Sequence, residues 1–320
     1  YARRESGKLN YVSLGPGSTV HLGGAQFARL AGVDMQPVQY RGAAPGIADL
    51  VAGNVHLISV GIAPVKALVE SGKLRVLVDS TRLIDVADPC VSWDGKRVLF
   101  SGIVHPDSNW RIFEIGLDGK NFRQLTFSDR VLDLSQFGAS APLFQRYDDF
   151  DPCYLPNGKI AFASTRYPSL AMVERVRTSN IYVMGADGKN LRRITSERNG
   201  GEEPTIDPVT GRIVYARWWA NIDRPSNVTR NNLSREDATA LTSDIGNIWH
   251  AVAINPDGDA LKLYAGYVRT RYGTQTYKPA VMRDGRLLST FSPRTWLVPS
   301  GGGTGIRWFR AGADYEHHII

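Results

Sequence analysis

Asp88-Pro-Cys-Val-Ser-Trp-Asp-Gly-Lys-Arg-Val-Leu-Phe100 returns 63 residues later (88 to 151) as Asp151-Pro-Cys-Tyr-Leu-Pro-Asn-Gly-Lys-Ile-Ala-Phe162. Each copy places a short apolar strand behind an Asp-Gly or Asn-Gly pair, the dipeptide that supplies positive φ in a hairpin turn. A weaker copy runs from Glu203-Pro-Thr-Ile-Asp-Pro to Gly211-Arg-Ile-Val-Tyr215, and a fourth is read in Trp249-His-Ala-Val-Ala-Ile-Asn-Pro-Asp-Gly258. Between the copies lies a second unit, Ile112-Phe-Glu-Ile-Gly-Leu-Asp-Gly119 with Arg123-Gln-Leu-Thr126. It recurs as Ile181-Tyr-Val-Met-Gly-Ala-Asp-Gly188 with Arg193-Ile-Thr195. Two hairpins per repeat, with starts at 88, 151, 203 and 249, predict β-propeller blades. Four blades are counted, and residues 291–320 are expected to begin a fifth. The array then reads as an incomplete propeller of four to five blades, with exposed apolar edges at residues 85–100 and near the C-terminus.

Upstream the period changes. Leu9 to Leu14 is an apolar run ending in Gly15-Pro-Gly-Ser-Thr19, followed by Leu22, Phe27 and Leu30 at helical intervals up to Gly32. Met35 to Tyr40 reads as a second strand. Gly42-Ala-Ala-Pro45 opens a second helix that stops at Gly53, with Pro45 in the first turn, where its missing N–H costs nothing. Val55 to Val60, Pro64 to Ser71 and Leu74 to Val78 read as strand, helix and strand. Strict alternation predicts a parallel sheet with crossover helices, so the chain divides into an α/β part, residues 1–80, and an all-β part, residues 81–320.

In parallel sheets ligands sit beyond the carboxyl ends of strands. Gly15-Pro-Gly-Ser-Thr-Val-His21 is such a loop: Gly15 and Gly17 admit close approach, while Ser18 and Thr19 place hydroxyls beside helix N–H groups. That chemistry suits a carboxylate or phosphate. The alternative reading is that Ser18 or Thr19 caps the helix.

The charge marks no partner. Lys and Arg number 38 against 31 Asp and Glu, a net +7. Residues 1–80 carry +3 and the remainder +4, with no basic run of five, so a nucleic-acid footprint is not expected. No apolar stretch approaches the ~20 residues of a membrane span. Tyr1-Ala-Arg-Arg-Glu-Ser-Gly lacks the apolar core of a signal peptide, and the chain is read as having lost its beginning.

The blocks LNY, G-x-GS-x-x-HL, Y-x-GAAP and AG-x-V-x-L in residues 8–78 resemble, in order and spacing, the Bug family. These are the extracytoplasmic solute-binding receptors of tripartite tricarboxylate transporters. The resemblance covers about 70 residues and implies part of one periplasmic-binding-protein lobe, with a small carboxylate as ligand. By that resemblance Gly17, Ser18, Thr19 and His21 belong to one binding loop. Tyr40, Gly42, Ala43 and Ala44 lie at a second, with Asp49 on the helix it opens.

Residues 85–290 resemble propellers of the TolB class, with WD40-like blades. DPC-x-x-x-x-G-K-I-A-F-x-STR followed by N-I-Y-V-M-x-A-D-G is similar to the propeller of hydrazine synthase alpha-subunit-like proteins. That family carries c-type haems, but this sequence has no Cys-x-x-Cys-His, so no cofactor is expected from its two cysteines. Cys90 and Cys153 occupy equivalent places in successive repeats and read as a disulfide or as two small buried side chains. Asp148, Asp149 and Asp151 read as turn-bonding residues or a cation site, and no metal is assigned. Arg166, Arg217 and His250 are placed at one mouth of the propeller or in surface solvation. Gly301-Gly-Gly-Thr-Gly305 lacks the Lys-Ser/Thr of a phosphate loop.

The expected function is an extracytoplasmic, non-enzymatic binding protein with a carboxylate-receptor-like fragment and a protein-interaction propeller. Two alternatives stand beside it. One is a scaffold subunit of a hydrazine-synthase-like redox complex with cofactors held elsewhere. The other is a join of two unrelated coding pieces, suggested by the abrupt change inside RVLVDSTRLIDVADP.

Overall fold

The computed structural model describes residues 7–31, 33–78, 81–171, 176–221, 246–265, 274–281, 286–293, 305–310 and 317–319. Most of the glycine run at 301–305 lies outside them, as do Asn227-Val-Thr229 and Asn232-Leu-Ser234, two stretches of glycosylation-sequon pattern. The chain forms two compact units, Tyr1–Asp79 and Ser80–Ile320, and among the described residues no helix is long and apolar enough to cross a membrane.

In the first unit, β1 (Leu9–Ser13) and β2 (Met35–Gln39) pair in parallel. They are followed by α1 (Thr19–Ala31) and α2 (Ala43–Ala52) respectively. Strand alternation divides the helices between the faces. Tyr11 meets α1 so closely that a Cβ at Gly24 would lie 2.1 Å from its ring, whereas Val12 meets α2 at Gly46. Gly53 closes α2 in the left-handed conformation, φ 81°, and its amide bonds the end of the helix.

Two expected strands are corrected. Around Val55 only Leu57 bridges to Tyr11, with Val12 N–H donating to Leu57 O at 2.9 Å. Residues 74–78 form no strand; Leu74 N–H instead donates to Leu68 O, closing the short helix α3 (Lys66–Glu70). An apolar run becomes a strand only when a neighbour takes up its ladder of hydrogen bonds. Residues 55–60 make two such bonds to β1, the second from His56 N–H to Asn10 O at 3.1 Å, and residues 74–78 pair with no described strand.

Among the described residues the second unit contains four antiparallel sheets of four consecutive strands each. They are β3–β6 (Asp85–Val91, Arg97–Ile103, Arg111–Gly116, Arg123–Gln124) and β7–β10 (Asp149–Tyr154, Ile160–Ser164, Asn180–Met184, Arg192–Arg193). The others are β11–β14 (Gly200–Ile206, Ile213–Asn221, Gly246–Ile254, Lys262–Ala265) and β15–β18 (Thr274–Val281, Arg286–Pro293, Gly305–Arg310, His317–Ile319). Each sheet packs on the next. Leu99 and Ile112 of the first meet Ile160, Phe162 and Tyr182 of the second, and Val183 and Ile181 meet Ile213 and Tyr215 of the third.

The turns explain the repeat. Gly95, Gly119, Gly158, Gly188, Gly211 and Gly258 all take positive φ, between 67° and 98°. Thr126 and Thr195 accept the Ile112 and Ile181 amides at 3.0 and 2.8 Å, so each Leu-Thr or Ile-Thr pair seals the outer strand onto its neighbour.

Two readings of the repeat are corrected. Trp249–Gly258 is not the start of a fourth blade but β13, the third strand of the third sheet. Its turn bonds Gly258 N–H to Asn255 O and Asn255 N–H to Asp259 O, the arrangement of the turns at Gly119 and Gly188. Apolar runs ending in Asp-Gly serve both hairpins of a blade, so the run alone does not tell them apart. The fourth sheet opens instead at Thr274, with Lys278-Pro279 where its predecessors carry Asp88-Pro89, Asp151-Pro152 and Glu203-Pro204. Each pair sits in a β-bulge of the first strand. Residues 291–320, expected to start a fifth blade, supply β17, β18 and the end of β16 to this fourth sheet. The exposed edge at β3 is present: Val86 and Val91 are about half exposed (48% and 51%).

Candidate functional site

In the first unit the carboxyl ends of β1 and β2 lie side by side, joined where Tyr40 N–H donates to Ser13 O at 2.9 Å. Ser13 is completely buried. Its hydroxyl donates to Gln39 Oε1 at 3.2 Å, accepts the Gly15 amide at 3.2 Å and lies 2.9 Å from His21 Nδ1. With the serine proton given to Gln39, Nδ1 of His21 is the donor and Nε2 keeps a lone pair. The His21 ring also leans on Tyr11, centroids 5.8 Å apart.

Ser18 is the N-cap of α1, accepting His21 N–H at 3.2 Å and donating to Gly15 O at 2.8 Å. Its hydroxyl is therefore engaged, which favours the capping reading. Gly15 and Gly17 have positive φ, 116° and 80°, and nothing near their missing Cβ atoms. Thr19 is exposed at the first helical position, where amides have no partner within the helix.

At the second loop Gly42 caps α2 with extended backbone (φ 168°) and no side-chain hydrogen bond, Ala43 is half-buried and Ala44 exposed. Tyr40 and Asp49 engage each other: the phenol donates to Asp49 Oδ2 at 2.6 Å and Asn54 Nδ2 to Asp49 Oδ1 at 3.1 Å. These two hydrogen bonds hold the Asp49 carboxyl below its ordinary value, and the carboxylate in turn raises the Tyr40 phenol. This pair braces β2 against α2.

In the second unit the residues placed at a propeller mouth are largely withdrawn from water. Arg166 is 8% exposed and His250 4%. Arg166 reaches the fully buried Asp149 through Nη2 at 2.7 Å and Nε at 3.2 Å, while Ser164 donates to the same carboxylate at 2.6 Å. Arg166, Arg111 and Arg130 stand 5.0, 4.5 and 4.8 Å from the Tyr147 ring centroid. Arg217 Nε donates to Glu197 Oε2 at 2.6 Å, and Tyr215 donates to the same carboxylate at 2.5 Å. Surface solvation is thus corrected for Arg166 and His250. A guanidinium can be buried when a buried carboxylate neutralises it, and the sequence around Arg166 does not reveal that partner.

The three aspartates go to separate tasks. Asp148 accepts the Trp110 amide and Arg177, Asp149 holds Arg166, and Asp151 accepts the Glu203 amide at 2.9 Å. Among the described residues no group of three or more His, Cys, Asp or Glu has metal-holding geometry. The cysteines are free thiols: Cys153 is buried in a core cluster against which the half-buried Cys90 packs, and each donates to a backbone carbonyl, Cys90 to Val91 O at 3.9 Å and Cys153 to Tyr154 O at 3.6 Å. The expected closeness is present and the covalent bond is not.

Residues 1–92 match the family model of the tripartite tricarboxylate transporter family receptor. That span is the receptor-like unit and the first strand of the sheet array. The chain is 36% identical over 76 residues to the UPF0065 protein in the tcbD-tcbE intergenic region of Pseudomonas sp. (strain P51), covering 24% of this chain and 23% of that protein. It is 32% identical over 71 residues to Hydrazine synthase subunit alpha of Kuenenia stuttgartiensis, covering 22% of this chain and 8% of that one. The chain thus spans less than a quarter of either relative. The solved Kuenenia stuttgartiensis Hydrazine Synthase superposes with a TM-score of 0.45 at 15% identity, covering 75% of this chain and 39% of that chain.

Sequence reasoning missed Ser13 and Gln39, which join the two loops of the receptor-like unit. The available signal was their place as the last residues of neighbouring parallel strands. It also missed that the bulges gather carboxylates. Asp88, Asp151 and Glu203 all have positive φ, 52° to 57°. Burial, together with Asp88 and Glu203 nearby, holds the Asp151 carboxyl well above its ordinary range. A carboxyl raised on folding contributes most stability at low pH. That contribution falls as the pH climbs from the unfolded value, about 4, through the raised folded value. Asp151→Asn keeps an acceptor for the Glu203 amide and tolerates positive φ. It should raise Tm, and by more at pH 8 than at pH 4.5; equal gains at both would refute the shift.

Proposed function

We propose that this chain is an extracytoplasmic, non-enzymatic binding protein. In this reading the receptor-like unit takes a small carboxylate and the four-sheet array is part of an incomplete β-propeller that docks a protein. What supports the ligand is one arrangement: the ends of β1 and β2 adjoin, Ser13 orients His21, and Gly15, Gly17 and the start of α1 stand open beside it. The open helix N–H groups favour an anion, and His21 holds the loop that presents them through its contact with Ser13. Gly42, Ala43 and Ala44 add the second helix start. The protein-docking role is supported by the exposed apolar side chains Val86 and Val91 on β3 and the nearby Trp93.

Calorimetric titration of the full chain with citrate and succinate tests the ligand. Binding is expected, weakened about tenfold in His21→Ala because the loop loses the hydrogen bond that ties it to Ser13. Absence of binding by wild type at millimolar carboxylate would overturn the assignment. Ser18→Ala should instead lower stability by about 1 kcal/mol through loss of the cap.

A second reading, a scaffold in a hydrazine-synthase-like redox complex, is favoured by the 32% identity to that enzyme's alpha subunit. Haem staining of the proteins that copurify with the tagged chain separates the two, since a stoichiometric haem-carrying partner supports the scaffold.

A further inference from the structure

We propose that Cys90 and Cys153 are a redox pair whose oxidation by a small disulfide staples the first sheet of the array to the second. The inference stands independently of the carboxylate reading. Each cysteine follows the Asp-Pro of a first-strand bulge, and each faces the second strand of its own sheet, Cys90 opposite Leu99 and Cys153 opposite Ala161. Equivalent places on sheets that pack together bring the side chains to one point. Cys153 belongs to the core cluster with Leu155, Ala161 and Ile181, and Cys90 packs against that cluster. The third bulge carries Thr205 at the matching place, so the pair singles out this one junction.

The two thiols are unequal. The neighbouring Cys153 thiol draws the Cys90 thiol below its ordinary value, while Cys90 and burial push Cys153 well above. Cys90, the more exposed of the two, is the attacking thiolate. Its Sγ attacks one sulfur of the external disulfide, whose S–S bond breaks and releases one thiolate that takes up a proton. Cys153 then gives its proton to solvent and attacks Cys90 Sγ, expelling the second thiolate. Two protein thiols are oxidised and one external disulfide is reduced to two thiols. A bond across the 63-residue separation (90 to 153) restricts the unfolded chain strongly.

The test uses the full chain, reduced and then incubated with cystamine. Intact mass under denaturing, non-reducing conditions should fall by two hydrogens, with peptides containing Cys90 and Cys153 linked. Tm should rise by roughly 5–10 °C and return to its starting value with a phosphine reductant. Cys90→Ser should leave Tm indifferent to cystamine. If Cys153→Ser fails to fold, the wild-type mass and peptide map decide alone. An unchanged mass, a lasting cystamine adduct or a disulfide-linked dimer would each overturn the proposal.

Discussion

Asp149→Ala should cost the sheet array about 3–5 kcal/mol of folding stability, because it leaves a buried guanidinium without its counter-charge. Asp149 is fully buried and Arg166 nearly so. Once the carboxylate is gone, Arg166 keeps only Asp129, at 3.5 Å and 59% exposed, as a charged partner. The faces of Tyr147, Phe162 and Tyr182, at 5.0 to 6.0 Å, offer cation–π contact that does not replace it. All seven tryptophans lie beyond residue 80, so guanidinium unfolding followed by tryptophan fluorescence reads this unit alone. Asp149→Leu combined with Arg166→Met should recover part of the loss, since Arg166 is then removed with its partner while the buried Arg111, 3.9 Å from Asp149, still loses its counter-charge. A single-variant loss under about 1 kcal/mol would show that the pair behaves as a surface ion pair.

Gly24→Val tests the other unit. The new Cβ would fall 2.1 Å from the Tyr11 ring, which is itself 3% exposed and packed beneath α1. Neither the ring nor the helix can retreat without opening the cluster of Leu9, Ala28, Val33 and Met35. Overpacking of this kind costs about 3 kcal/mol. The helices of the described residues are nearly all in this unit, so the far-ultraviolet helical signal should melt earlier while the tryptophan transition stays in place. Unchanged melting of the helical signal would mean that α1 does not seat against Tyr11 as described.

Much of the fold was legible in the residues. The glycines after Asp118, Asn157 and Asp187 announced hairpins because only positive φ satisfies those turns, and Gly53 announced the end of α2 for the same reason. The β1 and β2 strands and the helices after them followed from spacing. The site was less legible. The loop at Gly15–His21 was visible, whereas Ser13, which ties its parts together, sits inside an apolar run and looks like strand. Asp49 and Tyr40 were assigned to a ligand site on resemblance, and the structure engages them with each other.

What the sequence determined by itself is local: where strands and turns occur, that two hairpins recur per repeat, and where the helical period gives way to the β period. These depend on backbone preferences within a few residues. Only the tertiary structure decided which run occupies which place in a sheet, as for Trp249–Gly258. Only it decided that Arg166 is buried against Asp149, and that thiols 63 residues apart meet at one core cluster. Each of those depends on register and on which faces pack together, set by contacts between segments far apart in the chain.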